Sequence, residues 1–95
     1  MSSFVLTFRN AGDHVVDETE GAAWGSWFQQ LGSAIVDPGS QVGATQSLGA
    51  ASTGNVVSGY TVIQAGSLDE AVALAEGCPG LANGGGVEIG ELMPM

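Results

Sequence analysis

Two helix-start motifs, Asp17-Glu18-Thr19-Glu20 and Ser67-Leu68-Asp69-Glu70, each come after a strand-like stretch of apolar and β-branched residues. This succession of strand and helix narrows the fold more than any other feature of the chain. In each motif the first side chain can accept a hydrogen bond from the N–H three residues on, and the acids of the first turn suit the positive end of a helix. After the first motif, Ala23, Trp24, Trp27, Phe28 and Leu31 recur at helical spacing, and Gly32 is a natural stop. The pattern predicts a helix over residues 18–31. After the second, Leu68, Ala71, Val72 and Ala75 form the expected inner stripe, with Asp69, Glu70 and Glu76 in water. Gly77 ends that helix, and Pro79 prevents its resumption.

The strands are read from period-two alternation. Residues 3–9 set Phe4, Leu6 and Phe8 on one side and Val5, Thr7 and Arg9 on the other. Residues 34–36 form a short strand expected to stop at Asp37-Pro38-Gly39. There Pro38 presets φ, and Gly39 permits the positive φ of a tight turn. A weak strand over residues 44–48 and a mobile loop over residues 49–55 are expected next. Residues 56–65 carry the strongest strand signal, and Gly59 inside it marks a bulge or a close backbone approach. Residues 83–86 read as a loop and residues 87–92 as the last strand.

The order β-α-β-β-α-β predicts one α+β domain over residues 1–95, ferredoxin-like, with a four-stranded antiparallel sheet and two helices on one face. The strands are apolar on both sides, so the open face calls for cover. A second copy of the same sheet is the simplest cover, which makes a homodimer the expected assembly.

Composition limits the partners. Ten acids stand against a single Arg and no Lys, for a formal charge of −9. Nothing can neutralise phosphates, which excludes nucleic acid and argues against an anionic membrane surface. Only 12% of residues are charged, so the chain is far from the composition of disorder. One cysteine, Cys78, excludes an internal disulfide and suits a reducing compartment. Residues 1–10 have neither the basic start nor the apolar core of a signal peptide, and no run approaches the roughly 20 apolar residues of a membrane span. A cytoplasmic protein is expected.

Several stretches together resemble one family. They are Trp24-Gly25-Ser26-Trp27-Phe28, Asp37-Pro38-Gly39, Gly59-Tyr60, Ser67-Leu68-Asp69-Glu70-Ala71 and Gly77-Cys78-Pro79. The chain resembles the YCII-related family, in its DGPF-like branch, from Phe4 to about Leu92. The resemblance implies a dimeric α+β barrel of ferredoxin-like subunits. It also implies kinship with small catabolic enzymes, in some of which a His–Asp pair is the acid/base machinery. Relatives often place Tyr-His-Gly at the end of strand one, where this chain has Phe8-Arg9-Asn10; its only imidazole, His14, lies four residues beyond.

Each candidate site residue has a functional and a plain reading. Asp37 at a strand end can act as a general base or anchor a ligand, and Asp is equally favoured as the first residue of a Pro-Gly turn. His14 sits among Asp13, Asp17, Glu18 and Glu20, so a proton-transfer role stands beside that of a solvated loop residue. Trp24 and Trp27, three apart, are core packing or the wall of a pocket, with an indole N–H aimed at a ligand or a carboxylate. Arg9 can grip a substrate carboxylate or pair with any of ten acids. Tyr60 can offer its phenol to a cleft or pack on its strand. Cys78 follows a helix C-terminus, where the dipole disfavours a thiolate, and reads as a small hydrophobe. The glycines of residues 84–86 lack the strand–helix setting and the Lys of a phosphate cradle.

These features predict a small-molecule site in the cleft between the first helix and the sheet. Trp24, Trp27, Tyr60 and Arg9 would line it, with Asp37 and His14 as its polar groups. Its chemistry would be proton transfer of isomerase or lyase type, without cofactor or metal. The rival expectation is a non-enzymatic dimeric module for binding or interaction.

Overall fold

The first strand takes the middle of the sheet because both of its sides are apolar enough to be covered. The computed structural model describes residues 1–51 and 54–94. The elements run β1 (Ser2–Asn10), α1 (Glu18–Leu31), β2 (Ile35–Gln41), β3 (Val56–Ala65), α2 (Leu68–Ala75) and β4 (Gly86–Glu91). Short 3-10 turns occupy Gly32–Ala34, Gly49–Ala51 and Pro79–Asn83. The strands lie in the order β2-β3-β1-β4 and every pairing is antiparallel. This is the ferredoxin-like βαββαβ arrangement. Of the loop expected over residues 49–55, Ser52 and Thr53 lie outside the described residues. Among the described residues no helix is long and apolar enough to cross a membrane.

Register decides which side chains meet. Phe4 lies opposite Ile63, Leu6 opposite Thr61 and Ile89, and Phe8 opposite Gly59 and Val87. Phe4, Leu6, Phe8, Ile63 and Ala65 are buried with Trp27, Leu31, Ala71, Ala75 and Cys78 in one core. The alternate residues Val5, Thr7 and Val62 stay half-buried on the open face, and Tyr60 beside them is 38% exposed.

Both helices start at side-chain caps. Asp17 Oδ1 accepts from Glu20 N–H at 2.8 Å, and Ser67 Oγ accepts from Glu70 N–H at 3.1 Å. Glu70 reaches one residue beyond the usual capping box and accepts from the Gly66 N–H, before the cap, at 3.1 Å. Gly32, at φ 51°, ends α1 in a conformation that costs glycine little.

The helices differ in how they sit. α2 lies close over β3 and β4, whereas α1 has its main neighbours in the 3-10 turns rather than in the strands. The inner residues explain this: α2 presents Ala71 and Ala75, while α1 presents Trp24, Trp27 and Phe28. Helix separation follows side-chain size at the contact. The same closeness corrects the expected stripe of α2. Its seam is Ala71 and Ala75 with Leu74, while Leu68 and Val72 are 50% and 37% exposed. A short helix seated on alanines has too narrow a seam to cover its flanking residues.

A second correction concerns Asp37-Pro38-Gly39. It does not end the strand. β2 continues to Gln41, and residues 44–48 form no strand. The ladder to β3 shifts register between Ile35 and Asp37 and again between Asp37 and Ser40. β2 is an edge strand, where a proline without an N–H is tolerated. Asp37 Oδ1 accepts from the Gly39 N–H at 2.9 Å, so the local turn chemistry is present inside a bulged strand. Gly39 has φ 75°, and a Cβ there would stand 1.9 Å from the Tyr60 carbonyl oxygen.

Gly39→Ala is therefore expected to destabilise the fold by at least about 1–3 kcal/mol, read as a lower urea midpoint. An unchanged midpoint would show that β2 moves away from Tyr60 without cost.

Candidate functional site

Glu20 occupies the third position of α1, and its backbone N–H already serves the Asp17 cap. Its side chain is thus free to turn inward. It joins Trp24, Trp27 and Leu31 on the inner stripe of the helix, at spacings of four, seven and eleven residues. There it is only 8% exposed.

A carboxylate so placed must be satisfied. Trp24 Nε1–H donates to Glu20 Oε2 at 3.0 Å. His14 Nε2 lies 2.8 Å from Glu20 Oε1. An indole N–H can only donate, and an ionised carboxylate can only accept. The network therefore puts a proton on His14 Nε2; in the neutral tautomer the ring's lone pair is then on Nδ1. The loop before α1 presents His14 in this pose through a tight turn, with His14 N–H donating to Ala11 O at 2.9 Å. The imidazole keeps 21% of its side-chain surface exposed.

Rings surround the pair. Trp24 meets Phe8 edge-on at 4.9 Å between centroids, Trp27 at 5.7 Å and Phe28 at 6.1 Å. Between these rings and the β2–β3 edge opens a cleft of about 750 Å³. Phe8, His14, Glu20, Trp24 and Phe28 line one side, and the Pro38 to Gly43 stretch lines the other. The volume is within the range of small-molecule sites.

The six residues expected at the site have different places. His14 and Trp24 meet on the cleft wall through Glu20. Trp27 is buried, and its Nε1–H donates to Leu74 O at 3.2 Å, which pins α1 to α2. Asp37 is exposed, bonded to the Gly39 amide, and is not among the residues lining the cleft. Arg9 stands at a register shift between β1 and β3, outside the cleft lining, and borders a narrow crevice beside His14. Tyr60 borders the cleft from β3, but its pairing with Thr7 directs its ring to the open face as well. From the sequence Glu20 reads as a capping residue and as one of four acids near His14, neither of which singles it out. The signal for its role was an acid standing in register with an apolar stripe, where a purely structural helix would place an aliphatic residue.

Among the described residues, no cluster of three His, Cys, Asp or Glu side chains could hold a metal ion. Cys78 is buried against this region. Burial pushes its thiol above the usual value of 9.0 and the Glu20 charge adds to the rise, while hydrogen bonds with the Gly80 and Leu81 backbone pull the other way. No family model, no curated protein and no solved structure matches this chain.

The raised thiol pKa has a definite sign. The folded state holds the proton more tightly than the unfolded one, so this contribution to stability is full below pH 9.0 and is lost as pH rises through the folded value. Iodoacetamide at neutral pH should label folded protein at least about tenfold more slowly than urea-unfolded protein. Equal rates would show that the thiol is reachable and unperturbed.

Proposed function

We propose that the protein binds a small organic molecule in the cleft between α1 and the sheet and moves a proton on it without a cofactor, in isomerase or lyase fashion. One observation carries this reading: the buried Glu20 carboxylate holds His14 by Nε2 at 2.8 Å on the cleft wall. A carboxylate on one ring nitrogen orients the imidazole, leaves the other nitrogen as the base, and stabilises the imidazolium once the proton is taken. Trp24 holds the second carboxylate oxygen, so Glu20 cannot easily swing away. The likeness to YCII-related proteins favours the same class of chemistry. In this reading the His14–Glu20 pair does here what a His–Asp pair does in some of those relatives.

The homodimer belongs to the same proposal. Val5, Val62 and Tyr60 leave the open face partly apolar and without cover from either helix. A second sheet would remove this surface from water. The single unpaired Cys78 favours a cytoplasmic setting.

Native mass spectrometry of the purified protein is the first test, since a cleft of this kind should retain a compound. With that compound, His14→Gln should slow solvent-deuterium incorporation by about 10²–10⁴-fold while binding changes little. Unchanged incorporation would remove His14 from the chemistry.

Sedimentation equilibrium at micromolar protein should report twice the mass of one chain. Val62→Glu, which puts a charge on the open face, should return it to one. A wild-type monomer would sink the dimer.

A specific observation favours a second reading, a dimeric binding module without turnover. Asp37, the other carboxylate considered for chemistry, is engaged by a turn amide and stands outside the cleft. Among the described residues lining the cleft, Glu20 is the only carboxylate, so His14 has no second carboxylate to work with there. The deuterium experiment separates the two readings.

A further inference from the structure

We propose that Glu20 is the charge filter of the cleft, admitting uncharged hydrogen-bond donors with an apolar body and excluding carboxylates. The proposal rests on the reading of the cleft as a ligand site and names the class of molecule that fits it.

Two independent features point this way. The first is the direction of the hydrogen bonds. Glu20 accepts from Trp24 and from His14, and in the neutral imidazole with its proton on Nε2 the remaining Nδ1 is an acceptor too. The acid/base cluster therefore offers a ligand acceptors, and a carboxylate brings only more acceptors. The second is the missing counter-charge. Arg9 is the only Lys or Arg of the chain, and it is not among the residues lining the cleft. An anion in the cleft would approach a buried negative group in a chain of net charge −9 with no Lys or Arg on the cleft wall to meet it, Arg9 bordering only the narrow crevice beside His14. A neutral molecule with an N–H or O–H group can donate to Nδ1 and lay its apolar body against Trp24 and Phe28.

Benzamide and benzoate provide a matched pair, alike in shape and opposite in this respect. Their binding can be followed by the NMR signal of the Trp24 indole N–H, with the buried Trp27 indole as internal control. Benzamide is expected to bind at least about tenfold more tightly than benzoate. Glu20→Gln, which keeps the side-chain size and an acceptor for Trp24, should bring the ratio close to one. Asp13→Asn removes the same charge from the exposed loop and should leave the ratio unmoved. Benzoate binding as well as benzamide to the wild type would overturn the filter, and this comparison stands even if the Gln variant fails to fold. Equal loss of selectivity in both variants would assign the effect to the overall charge and overturn the role of Glu20. If neither probe shifts the Trp24 signal at millimolar concentration, the cleft itself is not a ligand site and the underlying reading falls.

Discussion

The girth of the aromatic side chains on the inner face of α1 sets the geometry around it. A one-sided sheet has a single core layer, and both helices must reach it from the same direction. α2 does so through alanines and settles close. α1 does so through two indoles and a phenyl ring and stands off. The two supports are of unequal height, and the side held open is the one toward β2. There the sheet ends in a bulged edge strand instead of another covered strand. The cleft is thus a consequence of how the core is built, and it does not require a loop to fold over it. Replacing Trp24 by a small residue would alter the shape of the site and the position of the helix together.

Burying a carboxylate among rings normally counts against stability. Here the cost is met locally, because each oxygen has a donor. The arrangement also links three elements that packing alone would leave independent: the loop after β1, the start of α1 and its aromatic middle. The His14 imidazole is held by Glu20 of the helix, while its backbone is fixed by the turn of its own loop. An imidazole positioned this way would lose little freedom on binding a ligand, which the proposed proton transfer would need.

Much of this fold could be read from residue patterns. Asp17, Gly32 and Ser67 act through local hydrogen bonds and backbone preference, so the ends of the helices follow from a few neighbouring residues. The strand Val56–Ala65 has both high β propensity and clear boundaries. Two features were not legible, for different reasons. Asp37-Pro38-Gly39 has the same local chemistry in a reversal and in a bulge, and the strand continues here because pairing with β3 resumes beyond it, Ser40 opposite Tyr60 and Gln41 opposite Gly59. Glu20 satisfied one rule, the cap, and that rule hid a second. Its backbone and its side chain do separate jobs, and pattern reading assigns a residue only one. Asp37 shows the converse: a conspicuous position whose side chain has a short-range partner and no access to the site.

The strand that floors the cleft also faces the open side of the sheet. Along β3, Gly59 and Thr61 point toward the helices, and Tyr60 and Val62 point away. Thr61 is fully buried, and its hydroxyl donates to Pro38 O at 3.0 Å, which ties β3 to the bulge that forms the far wall. Gly59 lets that wall come near, since a Cβ there would meet Ser40 O at 3.0 Å. A second copy seated against Tyr60 and Val62 would therefore bear on the same few residues from behind. Such contact would restrict how far β2 and β3 can move apart, and with it the width of the cleft. The open face and the cleft share one layer of backbone, and Tyr60 borders both, so the proposed dimer contact and the proposed ligand would be coupled through the rigidity of β3.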